Sequence, residues 1–261
     1  CGDDGMIDVE DIEHRITKKT KAIMPVHING RTCAMDPIME IAERNNLLIV
    51  EDAAQGFGST YKGQSAGTFG SFGTISFYPA KLLGCFGDGG LIMTNDPVTA
   101  EKISLLRDHG RDQNGDVVAW GLNSRLDNLQ AAFLDHKLST YNKDIKRRRE
   151  IANMYHEGLS NNNNLKLPVR PNNGDHYDVY QNYELRAESR DDLKLYLAKN
   201  GIGTIIQWAG TPVHQFDKLG FSVKLEKTDK FFEECLMIPM NMGISDKEVK
   251  FVIDKINEFY S

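Results

Sequence analysis

The chain has no excess of positive charge. Its 31 lysines and arginines against 37 acidic residues leave a formal net charge of −6, which argues against a nucleic-acid partner. No apolar stretch approaches the roughly 20 residues that a membrane span requires, and no secretory-signal pattern opens the sequence. Only four cysteines occur (Cys1, Cys33, Cys85, Cys235). They form no CxxC pair, so neither a disulfide framework nor a zinc knuckle is expected, and a reducing cytoplasm is the expected compartment. HExxH is absent and the seven histidines show no metal-ligand spacing, so no metal site is expected. Also absent are GxGxxG and a P-loop GK[ST].

What is present suits a folded enzyme-sized chain. Of 261 residues 40% are hydrophobic and 26% charged, a mix that supports a sizeable core and excludes general disorder. The one basic run, Lys146 to Arg149, falls in a helical pattern and reads as a solvated face. The sequence starts on Cys1 and opens in mid-phrase, as a portion of a longer chain would.

Periodicity gives an α/β beginning. Asp8 caps a helix through Ile16, with Asp11 placed for a capping box. The apolar runs 21–28 and 47–54 read as strands, with a helix opened by Asp36 and Pro37 between them. That is a βαβ unit of a parallel sheet. Residues 56–73 read as loop. Strands at 74–80 and 89–95 bracket Lys81 and the glycine-rich segment 84–90. A short helix at 98–107 and a polar loop at 108–121 follow. An apolar stripe from near Arg125 predicts one long helix to about Leu159. After the Asn161–Asn164 run the elements shorten: strands at 179–187 and 203–209, a capped helix from Ser189 to Asn200, a helix at 228–237, and a last helix at 245–260 opened by the capping box Ser245–Glu248. The expected division is a large α/β domain over 1–136. A connecting helix and a small α+β domain would occupy 137–261.

Three features carry chemistry. Asp52 ends an apolar strand, where α/β sheets bind ligands; the same position also suits a plain turn cap. Lys81 follows another strand, so its stem emerges at the same edge, and a desolvated lysine becomes a nucleophile or Schiff-base former. The glycines of 84–90 permit close backbone approach, or simply a tight hairpin. An acid, a lysine and small hydroxyl residues in this order suit pyridoxal phosphate. That cofactor needs a lysine for its aldehyde, a carboxylate for its ring nitrogen and hydroxyls for its phosphate.

Three ordered segments, VEDAAQGFGSTYKGQSAGTFG (50–70), SFYPAKLLGCFGDGGLIMTND (76–96) and GLNSRLDNLQAAFL (121–134), resemble the DegT/DnrJ family of pyridoxal-phosphate-dependent nucleotide-sugar aminotransferases. HGRD (109–112) and VHQ (213–215) fit as well. The resemblance spans nearly the whole chain and implies the fold-type I transferase architecture, lacking the family's N-terminal part. It implies Lys81 as the Schiff-base lysine and proton shuttle, Asp52 as partner of the pyridinium nitrogen, Gln55 at the phenolic oxygen and Ser76 at the phosphate. Asn123 with Arg125 would reach the neighbouring subunit's phosphate in a homodimer with shared sites. His214 would stand near the sugar-nucleotide pocket. The role of His27 stays open.

Two positions depart from the family pattern. Gln181 stands where many relatives carry histidine, and 205–215 holds an unusual Gln-Trp. The implied reaction moves an amino group, from glutamate as donor, to a 3- or 4-keto nucleotide-linked hexose, in surface-polysaccharide or amino-sugar biosynthesis. A dehydratase of the same family would carry histidine in place of Lys81. A non-catalytic binding or regulatory module would have no use for a lysine opposite a buried acid.

Overall fold

The computed structural model describes residues 1–171 and 174–261. Helix α1 (Val9–Arg15) is capped by Asp8, whose side chain accepts from the Glu10 backbone N–H. Asp11 instead takes the Arg15 guanidinium, so the anticipated capping box does not form. The run at 21–28 yields only the short strand β1 (Ala22–Ile23) and one further bridge from Val26 to Asp52. Pro25 has no N–H to donate to a ladder, which limits this edge. Helix α2 (Met35–Arg44) buries Met35, Ile38, Ile41 and Ala42. Strand β2 (Leu48–Asp52) then pairs parallel with β1.

The stretch expected as loop contains a small hairpin, β3 (Thr60–Tyr61) and β4 (Gln64–Ser65), before strand β5 (Phe72–Ser76) and strand β6 (Gly90–Met93). β5 runs parallel to β2 and β6 antiparallel to β5, giving the sheet order β1-β2-β5-β6. Glycine is required at Gly73. A Cβ there would come 2.4 Å from both the Cα and the carbonyl oxygen of Gly67, so the loop lies directly on the strand.

Helix α3 (Pro97–Arg107) is capped by Asp96. The long helical stripe proves to be two helices, α4 (Asn128–Leu138) and α5 (Tyr141–Leu159). They part at Ser139 and Thr140, whose hydroxyls bond back to the carbonyls of His136 and Lys137. Such local bonds compete with the helical ladder.

Behind α5 come β7 (Leu165–Lys166), β8 (His176–Tyr177), β9 (Tyr183–Ala187), α6 (Arg190–Lys199), α7 (Glu226–Glu234), β10 (Cys235–Ile238) and α8 (Asp246–Phe259). β9 lies between β10 and β7 in an antiparallel sheet, every residue of it buried. β8 instead joins the β3–β4 hairpin. The expected strand at 203–209 reduces to a bridge between Ile205 and Met237 followed by a turn at Gln207–Gly210, where Trp208 and Ala209 have positive φ. The helix expected over 228–237 gives way to β10 at Cys235. Ser189 stands at φ 50° and caps nothing with its side chain, whereas the Ser245–Glu248 capping box of α8 forms in full.

Buried apolar residues gather in three clusters. One packs α2 and α1 against β1 and β2; a second packs β5 and the Leu82–Cys85 turn against α4 and α5. The third fills the space between α5, α6, α8, β9 and β10. All four cysteines are free, and among the described residues no helix is long and apolar enough to cross a membrane.

Candidate active site

Because β2 and β5 are parallel and in register, with Asp52 opposite Thr74, their carboxyl ends open on one edge. Asp52 sits at the end of β2 and Ser76 at the end of β5. Lys81 follows β5 in a turn closed by its N–H on the Tyr78 carbonyl (2.8 Å). A narrow cleft gathers Ala54, Gln55, Phe57, Ser76, Lys81 and Gln181. Sequence distance of up to 127 residues is thus collapsed by one sheet edge and the turn that enters β9.

Lys81 is half-buried, and its Nζ makes no hydrogen bond or ion pair among the described residues. Burial pulls its pKa below the ordinary lysine value, opposed by the nearby Asp52 carboxylate. Asp52 spends one oxygen on the Ala54 N–H at 3.0 Å, which aims the carboxylate without exhausting it. The Ser76 hydroxyl accepts from the Tyr78 N–H at 3.2 Å and keeps its own hydrogen to donate. Gln55 accepts the Asn29 N–H through Oε1 (2.7 Å), while its Nε2 has only a long contact of 3.5 Å to Gln207. The amide nitrogen therefore retains donor capacity.

Asp52 is itself held by the residue before it. Glu51 is fully buried and accepts from the N–H groups of Gly67, Phe69 and Gly70, each at 2.7 Å, and from His27 at 2.9 Å. The Cys33 N–H occupies His27 Nδ1, so the ring hydrogen lies on Nε2, facing Glu51. This gives His27 a structural role. Burial raises the Glu51 pKa, but the bonds from His27, Gly70 and Gly67 outweigh it and hold the carboxyl below its ordinary range. The unfolded chain then binds the proton more tightly, and stability rises with pH. Glu51 therefore stabilises the fold above the ordinary carboxylate pKa of about 4.3, and that contribution disappears as pH falls through the lower folded value. Glu51→Gln turns an amide N–H₂ toward these donors and costs about 1–3 kcal/mol near neutral pH. Denaturant melts across pH check this: the loss should shrink in acid, and a loss that is the same at every pH would refute the assignment.

A second polar cluster joins Gln55 to the C-terminal half. Asn29, at φ 56°, donates to buried Glu184 (2.7 Å) and accepts from Asn182 and Gln207. Gln207 also donates to Glu184 at 2.8 Å. Burial holds the Glu184 pKa up, partly offset by these donors. The unusual Gln-Trp of the sequence thus places Gln207 beside Gln55, while Trp208 stacks on Phe232 (6.1 Å between centroids).

Other anticipated residues lie apart. Asn123 and Arg125 bond each other (3.2 Å) on an exposed segment, with Arg125 also 3.4 Å from Asp108, and neither lines the Lys81 cleft. His214 is buried and pairs with Asp229 at 2.8 Å, likewise outside that cleft. The basic run is not a solvated face. Arg148 is buried and donates to the Tyr180 and Gln181 carbonyls, Arg149 donates to the Asp178 carbonyl, and Arg147 reaches the Ile244 carbonyl. Only Lys146 of the four is exposed. Nothing in composition separates these arginines from surface ones; the place of Arg148 in the buried stripe of α5, between Ile145 and Ile151, is the one available signal.

A free amine of lowered pKa, an aimed carboxylate, a hydroxyl donor and an amide donor at one strand edge form a donor set that fits pyridoxal phosphate. They make up a candidate lysine-centred site on an α/β transferase fold. A family model described as DegT/DnrJ/EryC1/StrS aminotransferase matches residues 2–257, and the chain belongs to that family, whose aminotransferases depend on pyridoxal phosphate.

Among curated relatives, the chain is 38% identical over 259 residues to a "Pleiotropic regulatory protein" of Geobacillus stearothermophilus, covering 97% of this chain and 69% of that one. It is 36% identical over 252 residues to a dTDP-3-amino-3,4,6-trideoxy-alpha-D-glucose transaminase of Streptomyces venezuelae, covering 95% and 66%. Among solved structures, a DegT DnrJ EryC1 StrS aminotransferase from Brucella abortus superposes with a TM-score of 0.93 at 34% identity, covering 99% of this chain and 71% of that one. The chain thus spans about two thirds of the length of these relatives.

Proposed function

We propose that the chain transfers an amino group, with glutamate as donor, to a 3- or 4-keto group of a nucleotide-linked hexose. The setting would be cytoplasmic surface-polysaccharide or amino-sugar biosynthesis. The observation that carries this reading is Lys81: an unpartnered, half-buried amine beside a strand-end carboxylate. The transaminase name of the Streptomyces relative supports a sugar nucleotide as acceptor.

Pyridoxal phosphate, when bound, supplies an aldehyde for amines and an electron-accepting ring. The remaining work falls to the chain. Asp52 would keep a proton on the ring nitrogen, since a carboxylate favours the positive form of a neighbouring base. Lys81 would bind the aldehyde and, once displaced by the donor, move a proton to and from the substrate carbon. Its lowered pKa leaves more of the free base at working pH. Ser76 would donate to the phosphate, and Gln55 Nε2 to the phenolic oxygen.

The reading includes a second copy of the chain. Asn123 and Arg125 would bind the partner's cofactor phosphate from an exposed segment. Trp120, almost wholly exposed at 98%, and the exposed Leu122 adjoin it, and such apolar surface favours association. His214 would order the turn that borders the sugar.

Borohydride reduction of the intact protein loaded with pyridoxal phosphate, followed by digestion and mass mapping, tests the reading. A pyridoxyl group on Lys81 is the expected result. A folded, loaded protein with no label there would overturn it.

A further inference from the structure

We infer that Gln181 is a positioning residue for Lys81, clamping the lysine's backbone from the far side of the chain. Its catalytic consequence rests on the reading of Lys81 as the covalent lysine. The Gln181 amide accepts the Leu82 N–H through Oε1 at 2.7 Å and donates through Nε2 to the Ala80 carbonyl at 3.0 Å. Those two groups belong to the two peptide units on either side of the Lys81 Cα. One planar amide therefore bridges both and fixes the φ and ψ between them. Which end of the amide faces which partner is set by chemistry, because an N–H needs an acceptor and a carbonyl needs a donor.

The clamp is rigid in its turn. Gln181 is buried, and its own carbonyl and that of Tyr180 both accept from Arg148 at 2.9 Å. Tyr180 holds a left-handed φ of 51°, its hydroxyl tied to the Val169 carbonyl. On the other side Gly30 lies flat against this turn. A Cβ at Gly30 would stand 2.6 Å from the Gln181 nitrogen and 2.8 Å from that of Tyr180. Neither the amide nor its support has room to drift.

The consequence concerns a lysine that must first bond one atom and then serve another. Its side chain moves between the two roles, and reach is conserved only if its root stays still. With the flanking peptides held, motion is confined to the side-chain torsions. Misplacement of a reacting group by about 1 Å costs on the order of a hundredfold in rate, and a lysine root freed of both bonds has that latitude.

The test uses the intact protein and two variants. Gln181→Met keeps length and burial but makes neither bond. Gln181→Glu still accepts from Leu82 but turns an oxygen against the Ala80 carbonyl. In Gln181→Met we expect faster hydrogen exchange at the Leu82 amide in the cofactor-free protein. We also expect a displaced pH midpoint in the absorbance of the bound cofactor, and a kcat with the amino donor that falls about tenfold to a hundredfold at little changed KM. Cofactor affinity should stay near the parent's, and Tm should fall by a few degrees with the fold retained, because two backbone groups lose their partners. Gln181→Glu should keep slow exchange at Leu82 yet lose rate, and it serves if the methionine variant fails to fold.

Unchanged Leu82 exchange and an unchanged cofactor midpoint in Gln181→Met would overturn the inference. So would a rate loss that only follows lost cofactor affinity or lost fold. A parent protein with a protected Leu82 amide but no reducible linkage at Lys81 would instead overturn the functional reading, and the catalytic role of the clamp with it.

Discussion

Lys81→Ala abolishes amine transfer, by at least about 10³-fold, while the fold persists. The two halves of that expectation have separate causes. The amine makes no hydrogen bond or ion pair among the described residues, and its burial is only partial. Removing it costs the fold little, within about 1 kcal/mol. Among the described residues no other amine lines the cleft to replace it. Thermal melts beside single-turnover rates with an amino donor measure both halves. Residual rates near the parent's would remove Lys81 from the chemistry. A collapsed Tm would mean the lysine is structural after all.

Asp52→Asn is expected to lose about 10²–10³-fold in kcat, the scale found when one preorganised electrostatic partner is removed. Cofactor affinity should fall by about tenfold or more, since a hydrogen bond to a charged group is worth about 1.5–3 kcal/mol. The asparagine keeps the contact with the Ala54 N–H through its amide oxygen and loses only the charge. The backbone of β2 remains fixed by Glu51, whose four donors are untouched. The experiment pairs cofactor titration with turnover, and Asp52→Glu serves as the charge-preserving control. If asparagine matched aspartate in both measurements, the carboxylate would have no electronic role.

Much of this site was legible in the residues alone. An apolar run ending in two acids predicts a strand edge, and a lysine just beyond a second run predicts a shared rim. Asp52, Gln55, Ser76 and Lys81 do come to one edge of the sheet. Asp52 was singled out as the strand-end acid, but the structural role of Glu51 was not legible. Pleat alternation sends Glu51 inward and Asp52 to the rim. The failures have two causes. The helix breaks at Ser139 through local hydroxyl bonds, whereas the strand at Cys235 that interrupts a helical pattern and the arginines of α5 that bond distant carbonyls reflect partners far away in sequence. Local periodicity carries no information about such partners. Gln181 is the sharpest case. As a residue it departs from the family pattern; in the structure its amide is spoken for by Ala80 and Leu82.

That clamp also sets an order of events during synthesis. The strands that carry Asp52 and Ser76, and Lys81 itself, all precede residue 82. The amide that steadies the lysine is made 99 and 101 positions after the groups it binds, and the arginine behind it arrives between the two. A chain still emerging from the ribosome can thus build the rim of the site well before the lysine is secured. Contacts of such long sequence separation form late. The Lys81 amine is steadied only once Gln181 has been translated, so its placement is a late report that the two segments have met.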